Sequence, residues 1–202
     1  MYVLFHSPYS QHARRVVSLL VEAGLEYELR HVAMEKGEHT SPEYLAINPN
    51  HQVPTLLDGT IKIHESNAIL RYLCAKHALD DWYPGEPGKR AVVEQWLDWN
   101  QSRLSPAVID IVLNTVFLRE RGDKAAIERG RNKLRELDPI LEHGLAGKAF
   151  LAGERATIAD LSLASNVFQL GFAGITPVGA HTRRWFERMD TIEGFRRSLP
   201  QA

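Results

Sequence analysis

The segment "HSPYSQHARR", residues 6–15, places hydroxyl, imidazole and guanidinium groups within one short stretch. The apolar run "YVLF" before it predicts a short buried strand, and the apolar residues spaced from Ala13 to Leu20 predict an amphipathic helix. A helix N-terminus offers N–H groups and the positive end of a dipole, which stabilise an anion. A hydroxyl at this junction therefore either only caps the helix or takes part in chemistry, and the residues alone leave both open.

A second candidate is Pro54, at the start of "VPTLLDGTIKIHES". Asp58-Gly59 separates two β-rich runs there and predicts a hairpin, so Pro54 would open a strand inside a sheet although proline cannot donate to its ladder. Either Pro54 is an ordinary trans proline on an edge strand, or a cis peptide follows Val53. In the cis case the Val53 amide and carbonyl could pair with an extended peptide.

The stretch "HES", residues 64–66, comes immediately before another predicted helix, "NAILRYLCAKHA". Ser66 is expected to cap that helix, and the simpler interpretation is that it does nothing else. The functional alternative is that the helix N-terminus binds a carboxylate while Glu65 receives an ammonium group, as an amino-acid end would require. Two loops that flank the same strand contribute three further polar candidates: His39, His51 and Gln52.

These segments belong to a predicted order β-α-β-α-β-β-α over about 78 residues, in which the first βαβ unit should be parallel. Residues 79–88, "LDDWYPGEPG", break all periodicity and predict a linker. The remaining chain is predicted to be helical, with one long helix or two joined near Ser105-Pro106. The fold class is therefore α+β, with a sheet domain at 1–78 and an all-α helical bundle at 89–202.

The composition excludes several classes of function. The chain has 202 residues, a net charge of −1 and one cysteine, Cys74, so nothing indicates nucleic acid, an anionic membrane or a disulfide framework. The nine histidines are dispersed, and no cluster has metal spacing. Basic pairs such as Arg14-Arg15, Arg183-Arg184 and Arg196-Arg197 are expected on solvated helix faces. With no membrane-spanning run and no signal pattern, the expected location is cytoplasmic.

The linked motifs resemble the soluble glutathione S-transferases, in particular their theta and delta classes. "SQHARRV" looks like the serine-x-x-x-arginine start of their first helix, and "GEH…SPEYLAINPNHQVPTLLDG" looks like their second helix and third strand. "IHESNAILRYL" is similar to their Glu-Ser helix start, and "FLAGERATIADLSLAS" to the signature of their second domain. The resemblance implies a thioredoxin-like N-terminal domain followed by the helical domain.

The resemblance also implies roles for individual residues. Ser10 matches the serine that hydrogen-bonds the glutathione sulfur; a hydroxyl donor and a helix N-terminus both favour a thiolate over a thiol of pKa about 8.5. Val53, before a cis Pro54, should pair with the cysteinyl backbone. Glu65 and Ser66 should hold the γ-glutamyl ammonium and carboxylate. The glycyl end or the peptide backbone should be reached by His39, His51 and Gln52.

Other hydroxyl groups compete with Ser10 for this role, and two residues depart from the family pattern. Ser7 and Tyr9 are the competing hydroxyls, although the tyrosine-using classes place their hydroxyl where this chain has Phe5. Asn67 stands where delta-like sequences often carry arginine, and Gln52 replaces a lysine of some theta-like relatives. Both departures would weaken the binding of a glutathione carboxylate. Arg14 is expected to support the fold or the local field.

The expected activity is conjugation of the glutathione thiolate, as a co-substrate, to a hydrophobic electrophile, without a metal. The electrophile pocket is expected between the domains, near Phe5, Tyr9, Leu113, Val116 and Phe117. The alternatives are a glutathione-dependent dehalogenase or isomerase on the same fold, or a non-catalytic glutathione-binding protein. Thiol exchange is disfavoured because Ala13 and a helical Cys74 leave no reactive cysteine. The family resemblance implies a homodimer.

Overall fold

The computed structural model describes residues 1–200, which pack as two compact units. The first unit comprises residues 1–79 together with 192–200, and the second comprises residues 80–191. The predicted helical domain of 89–202 thus differs from the packed unit at its end. The last helix lies against the first: the Gly194 amide donates to Glu22 Oε1 at 2.6 Å.

The first unit follows the predicted order of elements. In chain order they are β1 (Tyr2–His6), α1 (Gln11–Glu22), β2 (Tyr27–His31), the 3-10 turns Met34–Lys36 and Glu38–Thr40, α2 (Pro42–Leu45), β3 (Thr55–Asp58), β4 (Ile61–His64) and α3 (Ser66–His77).

The sheet has the strand order β2-β1-β3-β4. β1 and β2 run parallel, as a βαβ crossover requires, whereas β3 pairs antiparallel with both β1 and β4. In the register, Phe5 pairs with Thr55, and Thr55 pairs with His64. This row fixes which chain segments leave the sheet at the same end.

The two faces of the sheet are covered by different elements because successive strand residues point to opposite sides. Phe5 belongs to an apolar cluster that includes Tyr44 of α2, with the two rings edge-to-face at 5.8 Å between centroids. Tyr2 of β1 bonds through its hydroxyl to His77 Nε2 of α3 at 2.7 Å. The thioredoxin-like arrangement predicted for this part of the chain is therefore present.

The second unit is entirely helical in its regular elements. These are α4 (Pro87–Trp99), α5 (Ser105–Val112), α6 (Lys124–Gly144), α7 (Ile158–Gly171) and α8 (Ala180–Met189), with π turns at Asn100–Leu104 and Leu113–Phe117 and a 3-10 turn at Arg119–Arg121. α9 (Glu193–Ser198) packs in the first unit.

One continuous helical run extends from α4 to residue 117, which resolves the choice left open at Ser105-Pro106. The π turn Asn100–Leu104 ends two residues before Pro106, whose missing N–H interrupts α-helical pairing. α7 is buried around most of its circumference, as its apolar sequence predicts for a helix inside a bundle. Within the described chain, none of the helices combines the length and the apolar character that crossing a membrane requires.

Candidate functional site

The register of the sheet brings the predicted site segments to one end. β1 and β2 end at the paired residues His6 and His31, β3 begins beside the end of β1, and β4 ends beside the beginning of β3. The turn before α1, the loop that carries His39, the loop before Thr55 and the start of α3 therefore all leave the sheet at that same end. Four segments that are distant in sequence meet there.

Ser10 is the N-cap of α1. Its backbone is extended, with φ −84° and ψ 113°, and its Oγ accepts a hydrogen bond from the Ala13 amide at 3.2 Å. A hydroxyl that accepts a bond still carries its own proton for donation, and the Ser10 side chain is partly exposed. Ser10 can therefore cap the helix and donate to an anion at the same time.

The rival hydroxyls of this turn lie in different surroundings. Ser7 is buried, and its carbonyl accepts the Ser10 amide at 3.0 Å, so it stabilises the turn. Tyr9 is 52% exposed. Ser10 combines a position at the helix N-terminus with a partly exposed side chain.

The loop before β3 is held by two buried side chains that sequence reasoning did not single out. The Val53-Pro54 peptide bond is cis, as the resemblance implied. The Tyr44 hydroxyl donates to the Gln52 carbonyl at 2.6 Å, and Asn48 Nδ2 donates to the same carbonyl at 2.9 Å. Asn48 Nδ2 also lies 3.0 Å from Thr55 Oγ1, so both sides of the loop are braced. The signal in the sequence was a Tyr and an Asn at buried positions of "SPEYLAINPN".

The structure brings the histidines of the two predicted loops together. The rings of His39 and His51 lie 6.5 Å apart between centroids, with His51 exposed and His39 half-buried. His51 has a positive φ of 47°, and its amide donates to the Asn48 carbonyl at 3.0 Å. Gln52 and His51 thus present polar side chains next to the backbone of Val53. Val53 lies two residues before Thr55, the first paired residue of β3.

The expectation that Ser66 caps α3 is wrong, because Glu65 occupies the N-cap position and Ser66 is the first helical residue. Glu65 adopts φ 68° and ψ 106° and makes no side-chain cap hydrogen bond. Its exposed carboxylate lies 4.0 Å from His64 Nδ1. The first amides of α3 are therefore not covered by the N-cap side chain, which is the arrangement that an external carboxylate needs.

Two arginines of α1 are buried, so the prediction of a solvated Arg14-Arg15 pair is wrong. α1 packs against both α3 and α9, which buries almost its whole circumference. Burial lowers the pKa of each guanidinium to about 9, so both remain cationic at neutral pH. The pairs Arg183-Arg184 and Arg196-Arg197 are exposed as predicted.

His12, in the first turn of α1, carries no charge at neutral pH. Burial, together with the nearby positive charges of Arg15 and Arg14, lowers the pKa of this imidazole to about 3. The positive potential around the start of α1 therefore comes from the helix and the guanidinium groups, not from an imidazolium.

Cys74 is buried in α3, and burial raises the pKa of its thiol to about 12. A thiol of that pKa supplies almost no thiolate at neutral pH, which removes it as a nucleophile. Among residues 1–200, no three His, Cys, Asp or Glu side chains are grouped so as to hold a metal ion.

Comparison with known proteins identifies the family. Residues 2–75 match the family model described as glutathione S-transferase, N-terminal domain, and residues 104–193 match glutathione S-transferase, C-terminal domain. The chain is 33% identical over 95% of its length to glutathione S-transferase F10 of Arabidopsis thaliana, of which it covers 93%. The chain belongs to the glutathione S-transferase family.

Solved structures support the same assignment. A theta-class glutathione S-transferase from Xanthomonas axonopodis pv. citri, solved with glutathione bound, superposes with a TM-score of 0.88 at 29% identity, covering 100% of this chain and 98% of that one. Glutathione transferase F2 of Populus trichocarpa superposes with a TM-score of 0.89 at 29% identity, over 98% and 97% of the two chains. The predicted α+β fold and the predicted glutathione transferase activity are both confirmed.

The residues predicted to line the electrophile pocket of the transferase differ in their surroundings. Phe5 packs in the apolar cluster of the sheet and is buried, which is a core position. Leu113 and Phe117 are exposed and Val116 is half-buried on the second π turn of the helical unit. The assignment of these residues and of Tyr9 to a substrate pocket stays a prediction.

Proposed function

We propose that this transferase activates the glutathione thiol at Ser10 and transfers the sulfur to a hydrophobic electrophile. The observation that carries the proposal is the cap of α1. Ser10 Oγ accepts from the Ala13 amide and keeps its own proton to donate. A thiolate placed there receives that proton in a hydrogen bond and lies against the positive end of the helix dipole. Both interactions favour the thiolate over the thiol and so supply the nucleophile.

The other segments at the same sheet end hold the rest of glutathione in this proposal. The cysteinyl backbone pairs with the Val53 amide and carbonyl, in the loop that Tyr44 and Asn48 brace. The γ-glutamyl ammonium pairs with Glu65, and its carboxylate binds at Ser66 and the first amides of α3. The glycyl end lies near His39, His51 and Gln52.

The second substrate in this proposal is apolar. Leu113 and Phe117 are large apolar side chains exposed on one turn of the helical unit, which suits a hydrophobic electrophile better than a charged one. The thiolate attacks the electrophilic carbon and forms a C–S bond, and the leaving group departs with the electron pair of the broken bond. We further propose a homodimer, since dimers are typical of the family, and a cytoplasmic location.

The test uses Ser10→Ala, Tyr9→Phe and Ser7→Ala with glutathione and a general aryl halide. Loss of one hydrogen bond to a charged sulfur predicts a fall in kcat/KM of about 10- to 100-fold for Ser10→Ala and less than about threefold for the two controls. The ultraviolet thiolate absorbance of bound glutathione should also titrate at higher pH in Ser10→Ala. If Ser10→Ala keeps both its activity and its thiolate absorbance, Ser10 is not the activating residue.

A further inference from the structure

Tyr44, on the short helix α2, contacts three separate parts of the first unit and is 4% exposed. Its hydroxyl donates to the Gln52 carbonyl at 2.6 Å and lies 3.2 Å from Thr55 Oγ1. Its ring packs edge-to-face on Phe5, which is the register partner of Thr55 in the sheet. One side chain therefore links the last residues of β1, the start of β3 and the loop before β3.

The donors and acceptors around the Gln52 carbonyl match one another. The single proton of the Tyr44 hydroxyl goes to that carbonyl, so the Thr55 hydroxyl is the donor to the Tyr44 oxygen. The amide of Asn48 donates to the Gln52 carbonyl at 2.9 Å and to Thr55 Oγ1 at 3.0 Å. Burial raises the pKa of the Tyr44 phenol, so this hydroxyl keeps its proton at neutral pH. Both lone pairs of the carbonyl are therefore occupied.

The held carbonyl fixes the direction of the next amide. The peptide bond between Gln52 and Val53 is trans, and a planar trans peptide points its C=O and its N–H in opposite directions. Because the Gln52 carbonyl points toward Tyr44 and Asn48, the Val53 N–H points away from them. The Tyr44 hydroxyl thus sets the orientation of a backbone amide that it does not touch.

We infer that Tyr44 is a positioning residue for the reactive thiol: it sets the Val53 amide relative to the end of β1 and so holds the glutathione sulfur within reach of Ser10. The inference rests on the proposed function, in which the sulfur lies at Ser10 while the cysteinyl backbone pairs with Val53. Both contacts belong to one residue of the ligand, so a shift of the Val53 amide displaces the sulfur. A displacement of about 1 Å at a reacting atom is enough to lower a rate strongly.

The simpler alternative is that the Tyr44 hydroxyl only stabilises the packing of α2 on the sheet. That alternative predicts a loss of stability in a variant without the hydroxyl. It predicts no change in the ionisation of glutathione once the thiol is bound.

The experiment uses Tyr44→Phe, which removes the hydroxyl and keeps the ring against Phe5. The ultraviolet thiolate absorbance of bound glutathione is titrated at saturating glutathione, so that a change in occupancy does not contribute. We expect the midpoint of this titration to rise by about 0.5 pH units or more, because the sulfur is no longer held against Ser10. With an aryl halide, kcat/KM should fall about 10-fold.

Tyr2→Phe is the matched control. Tyr2 is also buried, and its hydroxyl bonds to His77 Nε2 at 2.7 Å, away from the loop before β3. Both variants lose one hydroxyl and its hydrogen bond, and thermal unfolding measures the stability of each. For Tyr2→Phe we expect a loss of stability, a thiolate midpoint within about 0.2 pH units of the unmodified enzyme and kcat/KM within about twofold.

Two further variants test whether the Gln52 carbonyl is the decisive group. Thr55→Val removes a hydroxyl from the same network but leaves both donors to this carbonyl, so the thiolate midpoint should stay within about 0.2 pH units. Asn48→Ala removes the second donor, so the midpoint should rise as it does in Tyr44→Phe. If Tyr44→Phe does not fold, Asn48→Ala is compared with Thr55→Val instead.

The outcomes separate this inference from the proposed function. An unchanged midpoint in folded Tyr44→Phe, or an equal rise in Thr55→Val, overturns the inference. The proposed function is tested with γ-glutamyl-N-methylcysteinylglycine, which lacks the cysteinyl N–H that would pair with the Val53 carbonyl. If the unmodified enzyme binds this analogue as tightly as glutathione in calorimetric titration, the Val53 assignment is overturned, whatever Tyr44 does. A rise confined to Tyr44→Phe and Asn48→Ala, with weaker binding of the analogue, supports both.

Discussion

Thr157 and Ser10 are both hydroxyl N-caps of helices in this transferase, but the two caps differ in their hydrogen bonding. Thr157 begins α7, and Ser10 begins α1, each with an extended backbone. Thr157 is 4% exposed and its amide and hydroxyl both donate to Asp160 Oδ2, at 2.8 Å and 3.0 Å. Ser10 makes one cap bond and is partly exposed. One cap is closed on itself, and the other is left open.

The difference arises at the third helical position. In "TIAD" the third residue of α7 is Asp160, which returns a bond to the cap and completes a capping box. In "SQHA" the third residue of α1 is Ala13, whose side chain cannot return one. A closed cap satisfies the amides at the helix start and stabilises the fold. An open cap leaves donors and positive potential for a ligand, at some cost in stability.

The largest effect is expected at the closed cap. Asp160 is 0% exposed, and its other oxygen accepts the Leu151 amide and the Trp185 indole N–H, each at 2.9 Å. Asp160→Ala leaves these donors buried without their acceptor, so we expect the free energy of unfolding to fall by about 3–5 kcal/mol. Denaturant unfolding measures this loss. Below the unfolding transition, kcat/KM per folded molecule should stay within about twofold, because Asp160 lies outside the site.

A small loss of stability in Asp160→Ala, under about 1 kcal/mol, would contradict the closed-cap interpretation. Ser10→Ala is the matched variant, because removing the single cap bond of this partly exposed side chain costs only about 1 kcal/mol. The two variants should therefore separate cleanly, with the first losing stability and the second losing activity.

His12, at the start of α1, should make the stability of the fold depend on pH in acid. His12 has a folded-state pKa of about 3, below the value of about 6.5 expected when the chain is unfolded. Between these values the unfolded chain binds a proton that the folded chain does not, so stability falls as the pH drops through this window. The contribution is at most ~1.4 kcal/mol per pH unit. His12→Gln should flatten this decline between pH 6 and pH 4.

Urea unfolding at several pH values tests the prediction, with His143→Gln as the control because that residue is exposed on α6. We expect His143→Gln to follow the unmodified protein. Equal slopes for the unmodified protein and His12→Gln would show that the imidazole at the open cap is not held neutral by burial.

How far the sequence predicts this molecule can be judged from the same residues. The apolar periodicity and the Asp58-Gly59 turn predict the order of elements, and "TIAD" predicts the closed cap, because each depends on near neighbours in the chain. The sequence does not predict the burial of Arg15, because that burial depends on α3 and α9, which are distant in sequence. The sequence predicts the N-cap of α3 one residue too late, at Ser66, because no residue propensity predicts Glu65 at a positive φ.

The smallest effect is expected at the start of α3, where the N-cap Glu65 makes no side-chain cap hydrogen bond and has a strained backbone. Glu65 has a φ of 68°, a conformation that favours glycine and costs a residue with a side chain about 1–3 kcal/mol. Glu65→Gly relieves this cost, partly offset by the greater freedom of glycine in the unfolded chain, so a net gain of about 1 kcal/mol is expected. Ala78, at φ 50° beyond the other end of α3, provides the control: Ala78→Gly should gain similar stability.

Calorimetric titration with glutathione then distinguishes Glu65→Gly from Ala78→Gly, because only Glu65→Gly removes the carboxylate proposed to bind the γ-glutamyl ammonium. A stabilised Glu65→Gly that binds glutathione as tightly as Ala78→Gly does would mean that the strained residue has no part in binding. Weaker binding in Glu65→Gly alone would mean that the chain retains the strain at the ligand end of α3 in exchange for a charge that glycine cannot supply.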